Sequence, residues 1–274
     1  MSTRHRLRPS DTVRGLVVLL LLIAIALPIY VTLVSGFFPT GSFQKYGLFP
    51  PLNTFTLNNF AQALQAIPIG RQYLTSTLVV ILQASAEVII GAMAAYALVF
   101  PTWRGRGIAF ALILITLAVP GESLVIPNFE LVTSMGLRDT VFGVVIPYLA
   151  VGYPIFLLRQ AFASFPREVW EASTMDGCGD FRSLFLIVIP ACRGHVTTAA
   201  LWSALFAWNG FFWPLLITDS PDSRTVQVGL AQLAASETTN PAAIFAGTAL
   251  VLVPTLVLTV CSQRLLVGGL ARVR

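Results

Sequence analysis

Two kinds of residue in this 274-residue sequence have the type and spacing to do chemistry. The first are polar and aromatic side chains set in apolar text. Glu87 interrupts a long charge-free run, Tyr153 stands beside Pro154, and Trp202, Trp208, Asn209 and Trp213 fall within one segment. An ionisable group at bilayer depth costs on the order of 3 kcal/mol, so Glu87 is expected to face a cavity or a partner helix. It reads either as lining for a solute path or as one end of an interhelical hydrogen bond. Residues 202, 209 and 213 are separated by seven and four, near whole helical turns, and so share roughly one face. Such a face can stack on a flat apolar surface such as a sugar ring, with Asn209 supplying hydrogen bonds. It also reads as helix packing or, for Trp213-Pro214, as an interfacial belt. The second kind is a charged stretch from Arg159 to about His195, with acids, glycines and prolines at helix-terminal spacing.

Catalytic patterns are absent. No G-x-x-x-x-G-K-[ST] loop exists, so the chain holds no ATP in a P-loop of its own. The histidines are His5 and His195, without H-E-x-x-H, and no G-x-S-x-G elbow occurs. Cys178, Cys192 and Cys261 are odd in number and lack metal-ligand spacing, so they read as small apolar fillers.

The elements that must position these residues follow from composition. Hydrophobic residues make up 56% of the chain and charged residues 11%, against about 25% charged in a soluble domain. The chain belongs in lipid. Its net charge of +5 comes from dispersed arginines and one lysine, Lys45, without the basic and aromatic clustering of a nucleic-acid surface. About 20 apolar residues cross a bilayer, and six runs qualify: Gly15 to about Phe38, Leu74 to Phe100, a weak third from Gly107 cut short by Pro120, Gly121 and Glu122, Val141 to Leu158, Val196 to Ile217, and about Pro241 to Ser262. The first run also resembles a signal peptide, but it exceeds the 7–15 residues of a signal core. With the N-terminus inside, thirteen of the 17 Lys and Arg residues fall on the cytoplasmic side, which fits the positive-inside rule with both termini cytoplasmic. The expected fold is therefore an all-α integral membrane protein: a tail over 1–14, six helices within 15–265, and a second cytoplasmic tail over 266–274. Residues 39–72, with Pro50, Pro51 and Asn53 to Asn59, and residues 218–240 form long outer segments.

The loop of about 163–190 is expected on the cytoplasmic side. Pro166 suits a first helical turn, and Glu168 and Glu171 complement the helix dipole there. Gly177 and Gly179 suit left-handed positions at the end of that helix. Asp180 can cap a second helix, Phe181 to Ile189, which Pro190 closes. The result is a helix–turn–helix, readable as an interfacial amphipathic hairpin or as a docking site for another protein.

Glu171-Ala172-Ser173, three residues, Gly177, nine residues, then Ile187-Val188-Ile189-Pro190 resembles the E-A-A loop of ABC importer permeases. Ser173 and Ile189 depart from the usual alanine and leucine. The flanks Phe156-Leu157-Leu158-Arg159-Gln160, Met175-Asp176-Gly177, Ala207-Trp208-Asn209, Trp213-Pro214-Leu215 and Gln263-Arg264 to Gly268-Gly269-Leu270 are similar to the carbohydrate branch, the maltose and glycerol-3-phosphate type. The resemblance covers essentially residues 10–274. It implies a coupling helix in which Glu171 offers a charge to a nucleotide-binding subunit, Ala172 and Ser173 keep the helix slim, and Gly177 permits the turn. Asp176, Ile187 and Pro190 complete the motif. On this resemblance Gly177→Asp abolishes uptake while the chain stays inserted. The resemblance further implies a second homologous permease subunit, two copies of an ATPase subunit that bind ATP and Mg, and an extracytoplasmic solute-binding lipoprotein. The last would meet residues 218–240, with Asp219, Asp222 and Arg224 as rim contacts. No cofactor is expected on this chain, which would sit as a multi-pass protein in a bacterial cell membrane. Sugars, amino sugars, oligosaccharides and glycerol-phosphate compounds all remain as solutes. An ATP-independent channel or secondary transporter and an intramembrane enzyme are the alternative readings.

Overall fold

Apolar runs without charges fold as helices here, and each sharp bend in them falls within two residues of a proline or glycine. The computed structural model describes residues 9–39, 41–47, 51, 54–236 and 240–270. Arg4, Arg6, Arg8, Asn53, Arg272 and Arg274 lie outside the described residues, as do the side chains of Cys261, Gln263 and Arg264. Among the described residues the structure is helical and contains no strand.

In chain order the helices are α1 (Pro9–Ser35), α2 (Ser42–Tyr46), α3 (Asn58–Ala66), α4 (Ile69–Val99), α5 (Arg106–Ala118), α6 (Val125–Ser134), α7 (Val141–Val145), α8 (Gly152–Ala163), α9 (Arg167–Met175), α10 (Asp180–Ser183), α11 (Ile189–Ala191), α12 (Arg193–Trp208), α13 (Phe212–Ile217), α14 (Val226–Ser236) and α15 (Pro241–Leu270). Val13–Ser35 and Ile69–Val99 are each long and apolar enough to cross a bilayer as single helices. Three further segments reach that length only as bent pairs: Arg106–Ala118 with Gly121–Ser134 at 97°, Val141–Tyr148 with Gly152–Ala163 at 50°, and Asp180–Ala191 with Arg193–Trp208 at 90°.

Several boundaries differ from the sequence expectation. Helix α4 begins at Ile69 rather than Leu74, because its polar first turns are buried: Gln72 and Ser76 are enclosed and bond to the 221–226 segment. The run from Val141 is not one helix, since Pro147 and Gly152 flank a break at Leu149–Val151. The run from Val196 breaks at Asn209–Phe211. Pro214 has no N–H to bond a carbonyl four residues back, so the helix restarts there as α13. The outer segments expected over 39–72 and 218–240 contain helices of their own, α2 and α3 in the first and α14 in the second.

The chain divides into two compact units. In the first, Met1–Ile67 with Leu230–Leu252, Asn59 closes the fold: its amide donates to the Gly36 and Phe38 carbonyls at 2.8 Å each, and its oxygen accepts from Asn240 at 3.0 Å. In the second, Pro68–Gly229 with Val253–Arg274, α4 is the central post against which α8 and α12 pack. Gly91 permits this, because a side chain there would come within 3.3 Å of the Pro154 ring.

Candidate functional site

The 163–190 loop is built on one capped helix end. Helix α9 stops in a left-handed residue, Gly177, at φ +78°. The N–H of Cys178 bonds to the Ser173 carbonyl at 3.0 Å and that of Gly177 to the Thr174 carbonyl at 3.0 Å, a Schellman closure. Of the two glycines expected to be left-handed, only Gly177 is; Gly179 is extended at φ −69°, ψ 161° and takes the N-cap position expected of Asp180. Asp180 sits instead in the first turn, where its carboxylate accepts from the Tyr96 hydroxyl at 3.1 Å. Pro190 does not close the second helix, which runs on to Ala191. A π turn over Leu184–Val188 precedes it, with the Ile189 N–H bonded to the Leu184 carbonyl, so the α ladder is already interrupted where the proline enters.

One face of the loop is anchored on its own chain. Trp170 stacks on Phe100 with centroids 5.5 Å apart, and its Nε1 donates to the Tyr96 hydroxyl at 2.8 Å. Leu184 and Val188 are buried with Tyr96, Leu158 and Phe162. Ser173 is turned inward as well, its hydroxyl donating to the Trp170 carbonyl at 2.7 Å. Ala172, Asp176, Gly177 and Pro190 face outward, and Ile187 is half-buried. Glu171 is exposed and pairs with Arg167 at 3.0 Å along the same helix. The outward surface also carries Met175, Phe181 and Leu186, exposed by 83%, 67% and 70%. Apolar exposure of that kind on a well-anchored element marks an interaction surface.

The polar residues of the spans separate into two settings. Glu87 is 1% exposed and accepts from the Gln83 amide at 2.8 Å. The Ser203 hydroxyl of α12 stands close to its carboxyl but outside hydrogen-bond geometry. Glu87→Gln is expected to keep insertion and thermal stability, since an amide oxygen still accepts from Gln83. Glu87→Leu strands that amide and should cost about 1–3 kcal/mol, read as a lower denaturation midpoint in lipid nanodiscs. Tyr153 and Trp202 come together at 4.2 Å, and the ladder continues through Phe206 at 5.3 Å to Tyr148 at 5.9 Å. Asn209 is exposed at the end of α12, its amide donating to the Leu205 carbonyl at 2.8 Å. Trp213 does not share that face. The break before α13 turns it into the core, 3% exposed, with Nε1 donating to the Gly143 carbonyl at 3.2 Å, so the interfacial-belt reading fails.

At the other end of the second unit, Asp139 organises the 218–226 segment, a role its place in a short connector did not advertise. It is left-handed at φ +60°. Its carboxylate accepts from the backbone N–H of Asp219 at 2.7 Å and of Ser220 at 3.0 Å, and from the Ser223 hydroxyl. Arg138 holds Asp219 through two contacts of 2.8 Å. Asp222 faces Arg71 at 3.8 Å and Arg224 is half-buried. Arg71, Thr75, Asp139, Ser220, Asp222 and Ser223 line a cleft of about 360 Å³. Partial burial alone would push the Asp139 carboxyl up, but the Ser223 hydroxyl and the two N–H groups outweigh it and hold the value at about 2. A depressed carboxyl contributes its stabilisation above the ordinary value near 3.9 and loses it as the pH falls toward 2. Pepsin cleavage within 218–226 should therefore rise between about pH 4 and pH 2 in the unsubstituted chain. Asp139→Asn should show a smaller rise; an equal one would remove Asp139 from this role.

Residues 87–272 match the family described as binding-protein-dependent transport system inner membrane component, so the chain belongs to that family. It is 29% identical over 251 residues to the arabinooligosaccharides transport system permease protein AraQ of Halalkalibacterium halodurans, covering 89% of this chain and 88% of that one. It is 27% identical to the sn-glycerol-3-phosphate transport system permease protein UgpE of Brucella suis, covering 96% and 97%. Among solved structures it shares its fold with a bacterial ABC transporter involved in import of the acidic polysaccharide alginate, at TM-score 0.79, 24% identity, and coverage of 94% and 98%. The chain is an inner-membrane component of a binding-protein-dependent transport system, and its relatives are permeases of named sugar and glycerol-phosphate systems.

Proposed function

We propose that this chain forms half of the translocation pathway of an ATP-driven importer for a sugar or sugar-like solute. It spans the membrane six times, with both termini and the 163–190 loop in the cytoplasm. The observation that carries the reading is the loop: one face is pinned to the chain by Trp170, Leu184 and Val188, while Met175, Phe181 and Leu186 are presented outward. Those apolar side chains, with Asp176 and the Arg167–Glu171 pair beside them, suit a groove in an ATPase subunit. That subunit holds ATP and Mg; this chain contributes the lever. The Tyr153–Trp202–Phe206 ladder, with Asn209 beyond it, supports a solute of stacked sugar rings. Glu87, enclosed beside Gln83, is the weakest member of that path, and unchanged uptake by Glu87→Gln would assign it to packing. The segment held by Asp139, with Asp219, Asp222 and Arg224, meets the solute-binding lipoprotein.

Affinity purification from mild detergent tests this directly. The expected co-purifying proteins are a second permease and two copies of an ATPase. Uptake by the isolated chain without any ATPase would point to a channel or secondary transporter and sink the proposal.

A further inference from the structure

The two halves of the 163–190 loop meet the second unit's central helix at one oxygen atom. The Tyr96 hydroxyl, in the last turn of α4, accepts from Trp170 Nε1 of α9 at 2.8 Å and donates to Asp180 Oδ1 of α10 at 3.1 Å. Its donors and acceptors are thus divided between the two sides of the Gly177 turn, a task that needs a group able both to give and to take a proton in hydrogen bonds. Tyr96 is 4% exposed, and its ring lies 4.9 Å from Phe100, the ring on which Trp170 stacks.

Helix α4 is continuous for 31 residues, about 45 Å at 1.5 Å per residue. Its first turns are bonded to a distant part of the chain. Gln72 Nε2 donates to the Pro221 carbonyl at 3.2 Å, and the Val226 N–H donates to Ser76 Oγ at 2.8 Å. One uninterrupted helix therefore has the loop fastened to its last turn and the 221–226 segment fastened to its first.

We infer that Tyr96 is a positioning residue through which displacement of the 163–190 loop is passed to α4 and on to the 221–226 segment. This rests on the importer reading. Tilting α9 strains the bond to Trp170, and tilting α10 strains the bond to Asp180; both are relieved by moving the Tyr96 end of α4. Packing alone would let the loop slip against Phe100 and Leu158, whereas two directional bonds at one hydroxyl resist slip.

The test uses the assembled transporter in nanodiscs, with ATP hydrolysis and hydrogen–deuterium exchange measured on the same sample. With ATP and vanadate, exchange in peptides from residues 69–82 and 221–229 is expected to change in the unsubstituted complex. Tyr96→Phe keeps the ring and removes both bonds. It should retain ATP hydrolysis within about twofold while the exchange response in both peptides falls by at least about fivefold. Trp170→Phe, which keeps a stacked ring and removes one bond, should fall between, and it decides the matter should Tyr96→Phe fail to assemble. A wild-type exchange response in these variants overturns the inference. So does loss of hydrolysis and response together in an assembled complex, because the hydroxyl would then merely hold the loop for the motor. Failure of any ATPase to co-purify with the unsubstituted chain is a separate result, and it strikes the importer reading itself.

Discussion

Alanine in place of Gly177 is expected to cut uptake by about five- to thirtyfold while the chain stays inserted. The residue sits at φ +78°, and nothing lies within 4 Å of where a Cβ would project. Packing within the chain therefore tolerates a side chain, and the cost is conformational. A left-handed L-residue costs about 1–2 kcal/mol, which is about five- to thirtyfold in the population of the docking geometry. Asparagine, which visits the left-handed region with a smaller penalty, should recover most of the loss. Aspartate adds a second carboxylate beside Asp176 on the surface proposed to enter the ATPase groove, so Gly177→Asp is expected to abolish uptake. Solute uptake normalised to inserted chain checks all three. Normal transport by both the alanine and aspartate variants would remove the loop from the coupling role.

The second large effect is on stability. Trp213→Ala should cost about 3–5 kcal/mol, the range for emptying a large aromatic site in a packed core. The indole is buried in one cluster with Val79 of α4, Val132 of α6, Val144 and Val145 of α7, and Ala207 of α12, so its removal loosens its own helix against four others. Its N–H bond to the Gly143 carbonyl is lost as well. Trp213→Phe fills most of the volume and forfeits chiefly that bond, about 1 kcal/mol. Denaturation midpoints in nanodiscs should therefore order as unsubstituted, phenylalanine, alanine. An unchanged midpoint for the alanine variant would restore Trp213 to the membrane interface.

Much of the loop was legible because its signals are local. A glycine that must be left-handed, an acid in a first turn and an apolar period each act within four residues. Gly177 adopts the conformation its position predicts and Glu168 lies in the first turn, while Glu171 falls one turn further on. The exchange of roles between Gly179 and Asp180 was not legible. Either residue can precede a helix, and the choice fell to Tyr96, 84 residues away, which draws the Asp180 carboxylate into the first turn. The same limit applies to Trp202, Asn209 and Trp213. Their spacing predicts one face only if the helix is continuous, and the break at Asn209–Phe211 sends Trp213 to the core.

By itself the sequence determined that this chain lives in a membrane, where its apolar runs lie, and that a charged helix–turn–helix stretch sits between two of them. Those conclusions rest on composition and on short-range backbone preferences, which need no knowledge of distant contacts. Tertiary structure alone decided what each polar side chain does. Glu87 is enclosed beside Gln83, Asp139 gathers three donors from a segment some 80 residues later, and Tyr96 joins Trp170 to Asp180. A hydrogen bond is directional and short, so its partners are set by how helices cross in space, and crossing geometry is not written in any one segment.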